Sequence, residues 1–118
     1  MTKAALFLGW GQPIPGREQK ALQAFQEAMQ FYGRLQQEGV IESFEPILLE
    51  PHGGDLNGFG LIRGDAEKLA RLRMSAEFNS YIQLAQLVLT DVGVVGAMYG
   101  DELQQAMAEY ARQLAALA

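Results

Sequence analysis

The chain has 118 residues, enough for one domain, and its 49% hydrophobic and 19% charged residues place it among globular proteins. Nine Lys and Arg against fourteen Asp and Glu leave a formal charge of −5, which repels polyphosphate and argues against nucleic acid as a partner. There is no cysteine, which excludes disulfides, thiol catalysis and cysteine-bound metal clusters.

No run approaches the roughly 18 apolar residues of a membrane span. Ala4 to Leu8 is too short for a secretory hydrophobic region and lacks a small-residue cleavage site. A soluble cytoplasmic protein without membrane contacts is therefore expected.

Ala4 to Trp10 is apolar on both alternating faces, as in a strand at the middle of a sheet. Gly11-Gln12-Pro13-Ile14-Pro15-Gly16 ends it, because two prolines and two glycines cannot continue a ladder. Leu22, Phe25, Met29, Tyr32 and Leu35 then recur at helical spacing, with Ala21 and Ala28 beside them and Gly39 as a stop.

Ile41 to Pro51 and Asn57 to Gly64 read as two strands around Pro51-His52-Gly53-Gly54-Asp55-Leu56. Pairing Glu50 with Asn57 puts Phe44, Leu48, Phe59, Leu61 and Arg63 on one face with Glu42 and Glu50; a slip of one residue exchanges the sets. Asp65 is placed to cap the next helix, and Ser75 to restart it after a kink near Met74. Val92 to Tyr99 is a fourth strand, and Asp101 with Gln104 forms a capping box for a last helix carrying Leu103, Met107, Tyr110, Leu114 and Leu117.

The sum is an α+β domain spanning residues 1–118: β-α-β-β-α-β with a four-stranded antiparallel sheet, a kinked second helix and an extra C-terminal helix. Two helices cover one face of such a sheet. Leu6, Leu8, Phe44, Leu48, Phe59 and Leu61 exceed what one covered face can hide, so a second copy packed on the open face by a two-fold axis is expected.

This order of elements, with the broken helix around Ser75 and a fourth strand ending in Gly100-Asp101, resembles the ferredoxin-like dimeric α/β-barrel superfamily. That resemblance implies a homodimer whose two sheets close a shared barrel. It is also compatible with cofactor-free oxygenation or isomerisation, and no catalytic residue carries over.

His52, the single histidine, lies in the hairpin between Glu50 and Asp55 and reads either as a general base or as a solvated turn residue. One histidine and two carboxylates fall short of a metal-ligand spacing, so neither a metal nor a cofactor is expected. Gly9, Gly11 and Gly16 match no phosphate-binding loop, and Pro13 and Pro15 remove amide donors near Arg17. Arg63, Lys68, Arg71 and Arg73 are interrupted by Asp65 and Glu67 and read as a solvated face.

Trp10 at the mouth of the first strand, Arg63 paired across strands with Glu42, and Tyr99 closing the fourth strand join Glu50 and His52 as ligand-pocket candidates on the open sheet face. The expected function is binding or transformation of a small apolar or aromatic molecule. The alternative is a non-catalytic dimerisation module.

Overall fold

The alternating and helical runs of the sequence fold, in the computed structural model, into eight elements, and residues 2–117 are described. They are β1 (Lys3–Trp10), α1 (Glu18–Gln37), β2 (Ser43–Leu48), β3 (Gly58–Asp65), α2 (Ala66–Met74), α3 (Ala76–Val88), β4 (Gly93–Ala97) and α4 (Gly100–Ala116). All pairings are antiparallel, in the order β2-β3-β1-β4, so the doubly apolar β1 is central as expected.

The hairpin register differs by one residue from that of Glu50 against Asn57. Leu48 pairs with Gly58 and Ile47 with Phe59, and the Leu49 amide donates to the Asn57 carbonyl at 2.9 Å. The steric fit that goes with this register is Phe44 over Gly60, where a Cβ would fall 2.5 Å from the ring; in the β1–β3 pairing Trp10 likewise lies across Gly58, where a Cβ would fall 2.8 Å from its ring.

The slip redistributes the apolar side chains. Leu6, Leu8, Phe44 and Ile62 belong to the core beneath the helices, whereas Leu48 lies on that side but is 71% exposed. The uncovered face carries Phe7, Ile47, Phe59, Leu61 and Val95, with Phe7 and Phe59 stacked at 5.1 Å. It is apolar as expected, through different residues. The expected Glu42–Arg63 pair is also absent: Glu42 pairs with Lys3, and Arg63 with Glu45 at 3.3 Å.

The buried stripe of α1 is rotated from the expected one: Ala21, Ala24, Phe31, Tyr32 and Leu35 are buried, while Leu22 is exposed and Phe25 borders on it. Gly39, in the left-handed region at φ 76°, turns the chain out of the helix. The proline-rich loop is tied to the end of α3 by Gly11 N–H to the Thr90 carbonyl (2.7 Å) and Ile14 N–H to the Val88 carbonyl (2.9 Å), and Arg17 donates to the Leu87 carbonyl.

Both predicted caps form. The Asp65 carboxylate accepts from the Lys68 amide and the Ser75 hydroxyl from the Phe78 amide, each at 3.2 Å. Ser75 is fully extended (φ −73°, ψ 146°), so the kink is a complete break between α2 and α3. The Asp101–Gln104 capping box does not form, because Gly100, at φ 59°, makes the turn itself and the helix starts before Asp101.

At the centre of the core, Tyr32 (1% exposed) stacks on Phe44 at 4.3 Å, and Phe31 on Tyr81 at the same distance. Burial pushes the Tyr32 phenol well above its ordinary range, and the neighbouring Tyr81 adds to the effect.

Two expectations follow from this packing. Gly60→Ala forces the Phe44 ring off Tyr32 and destabilises the fold by about 1–3 kcal/mol, and Phe44→Leu in the same chain restores part of the loss, so a urea-unfolding double-mutant cycle gives a coupled, non-additive result. The second concerns pH. The folded state holds the Tyr32 proton where the unfolded chain releases it, so stability is untouched below pH ~10 and falls by up to about 1.4 kcal/mol per pH unit above it. Tyr32→Phe flattens that alkaline slope; an unchanged slope between pH 9 and 11 refutes the assignment.

Candidate functional site

Because Gly58 and Gly60 put no side chain on the covered face of β3, the sheet is thin under the N-terminal half of α1. Space opens there. A cavity of about 360 Å³ lies between the sheet, α1 and α3, within the range of small-molecule sites. Leu8, Trp10, Phe44 and Leu48 line it from the sheet, Phe25, Met29 and Tyr32 from α1, and Tyr81, Ile82 and Ala85 from α3.

Its wall is mostly apolar, and the polar side chains on it are those of Glu18, Tyr32, Asn57 and Tyr81. Trp10 is 9% exposed and meets Phe25 edge-on at 6.3 Å, which joins the end of β1 to the rim of α1. Asn57 is fixed by its amide, which donates to the Trp10 carbonyl at 2.8 Å. Burial keeps the Tyr32 hydroxyl protonated, and therefore a potential donor, throughout the neutral range.

The five residues read as pocket candidates are not gathered at one place. Trp10 is on the cavity wall, beneath the helices and away from the open sheet face. Glu50 and His52 are exposed on the β2–β3 loop, which leaves the sheet after Leu48 and re-enters it after Asn57, both cavity-lining positions.

The His52 ring is engaged with its own turn, Nε2 lying 2.7 Å from the Leu56 carbonyl oxygen while the Gly54 amide donates to Nδ1 at 3.3 Å. These bonds select the neutral tautomer protonated at Nε2. Arg63 and Tyr99 meet on the opposite, open side, where the guanidinium carbon stands 5.7 Å above the Tyr99 ring and Glu45 completes a small charged cluster. Among the described residues, no three His, Asp or Glu side chains are grouped to hold a metal ion, and no helix is long and apolar enough to cross a membrane.

Glu18, Tyr32, Tyr81 and Asn57 are the polar cavity residues that sequence reasoning did not single out. The two tyrosines fell within helical stripes and carried only a core signal. Asn57 read as the first residue of a strand.

No protein-family model matches the chain, and no curated protein matches it significantly. Solved structures do match. A dimeric ferredoxin-like protein of unknown function from Jannaschia sp. CCS1 superposes with a TM-score of 0.63 at 14% identity, over 81% of this chain and 99% of that one. A ferredoxin-like protein of the DABB family from Mesorhizobium loti also gives 0.63, at 7% identity over 84% and 99% of the two chains. SnoaB, a cofactor-independent oxygenase from Streptomyces nogalater, gives 0.52 at 14% identity over 85% and 98%. By the order of its elements, its sheet topology and these superpositions, the chain has a ferredoxin-like fold, with its four-stranded sheet left open.

Proposed function

We propose that this protein is a homodimer, paired through the open sheet faces, and that each copy takes a small, mostly apolar or aromatic molecule into the cavity between its sheet and helices. The cavity carries the reading: it is of ligand size, bounded by aromatic rings, and offers a few polar groups to orient a guest. The β2–β3 loop, with Glu50 and His52, serves as its mouth.

Arg63 and Tyr99 take a different part, setting the register of the paired sheets. A dry cavity of this kind suits proton transfer or cofactor-free oxygenation, the latter being the activity named for the structurally similar SnoaB. The rival is a pure dimerisation module, favoured by the apolar open face and by the engagement of the histidine ring with its own turn.

The two readings separate in solution. The chain has one tryptophan, Trp10, on the cavity wall, so 1-anilinonaphthalene-8-sulfonate is expected to quench its fluorescence saturably, with about one dye per chain. Ala28→Phe and Ala85→Phe, which fill the cavity, weaken dye binding at least about tenfold while circular dichroism stays native. Val95→Glu, on the open face, leaves dye binding in place and turns a micromolar dimer into a monomer in sedimentation. Dye binding indifferent to both cavity-filling variants overturns the ligand reading; a folded wild-type monomer overturns the pairing.

A further inference from the structure

Helix α4 has no buried residue, and beyond its first turn no strand or other helix packs along it. Yet it is strongly amphipathic. Leu103, Met107, Tyr110 and Leu114 recur at four, three and four residues on one side and remain 44–56% exposed. An isolated helix of 17 residues in water is marginal, so most of its stability must come from packing of that stripe. With a length of ~25 Å, the unpacked helix contributes to a radius of gyration of 16.4 Å, against roughly 13.5 Å for a compact domain of this length.

Two observations point to what receives it. The first is where the helix is rooted: Tyr99, its N-cap, lies under the Arg63 guanidinium of the open face while Glu102 in its first turn borders α2, so α4 leaves from the end of the sheet, next to the open face. The second is area. Four strands at ~4.8 Å spacing and five to eight residues long make a face of roughly 400–500 Å² in projection, and a 25 Å helix about 10 Å wide adds about half as much again to the surface a second copy can cover.

We infer that α4 is an exchange arm, which crosses from beside the open face of its own domain and lays its apolar stripe along a second copy of this chain. This rests on the pairing proposed above and adds to it. Two sheets and two arms form one continuous, self-complementary interface, as a two-fold axis requires. The arm's outer side, with Gln105, Ala108 and Arg112, stays in water.

The full-length chain tests this directly. Met107→Glu with Leu114→Glu places two charges in the stripe, and Gln105→Glu with Ala108→Glu places two on the outer side as a control. Sedimentation equilibrium is expected to show dimer dissociation strengthened about 100-fold by the first pair and within about threefold of wild type for the second. Since the chain lacks cysteine, a nitroxide on Gln105→Cys labels α4 alone. Mixed with isotope-labelled, spin-free copies, it is expected to broaden amide resonances of those copies outside α4.

A wild-type dimer indifferent to both charge pairs, or isotope-labelled copies whose amide resonances are not broadened, overturns the arm and leaves the sheet pairing standing. A wild-type monomer overturns both.

Discussion

The arrangement of this domain depends on rings lying flat over glycines. Phe44 crosses Gly60 and Trp10 crosses Gly58 on the covered face, and on the open face Phe7 lies over Gly9, where a Cβ would fall 2.8 Å from the ring. A β-sheet ordinarily stands its side chains upright. A glycine beneath the ring removes the obstacle and lets the aromatic carbon pack against backbone. The register of β2 on β3 places the Phe44 ring over Gly60, and that of β1 on β3 places Trp10 over Gly58, so the first of these fits goes with the face that each side chain of the hairpin occupies. The composition of the two faces, and the hollow under α1, are consequences of it.

That condition also explains which parts of the structure were legible in the sequence. Element order was plain, since Leu22 to Leu35, Ala4 to Trp10 and the polar caps Asp65 and Ser75 each carry a local signal that needs no partner. Register was not. Gly58 and Gly60 read as weak strand residues, and nothing local links them to rings 48 and 16 positions upstream. Hence the open face was expected to hold Phe44 and Leu48 and in fact holds Phe7, Ile47 and Val95. Its apolar character was legible because both sets are apolar. The site suffered most, because polarity near a turn drew attention to Glu50 and His52, whereas the cavity's own polar residues, Tyr32 and Tyr81, sit at helical positions indistinguishable from core.

The apolar side chains left open to water include the stripe of α4 and the open sheet face, where Val95 is exposed and Phe7, Ile47, Phe59 and Leu61 are half-buried; others, such as Leu22, Leu48, Met74, Leu87 and Met98, are scattered. Single exposed apolar residues are ordinary in water-soluble proteins, but a contiguous patch works against dispersal of the chain at a cost of about 25 cal/mol per Å². A sheet face of several hundred Å² therefore carries a driving force of order 10 kcal/mol toward cover. Translational and rotational losses on association consume much of that, which is why added helix area matters to whether pairing is tight or marginal.

The cavity and the open face make opposite demands on the same thin sheet, and β1 reconciles them by alternation. Leu6, Leu8 and Trp10 point to the helices, while Ala5, Phe7 and Gly9 point to the open side. Trp10 at the end of this strand is held by Gly58 on one side and Phe25 on the other, so a guest in the cavity would be in contact with the strand that also forms the middle of the open face. Trp10 thereby joins the cavity wall to the central strand, and the Asn57 backbone amide on the Trp10 carbonyl ties the same corner to the start of β3.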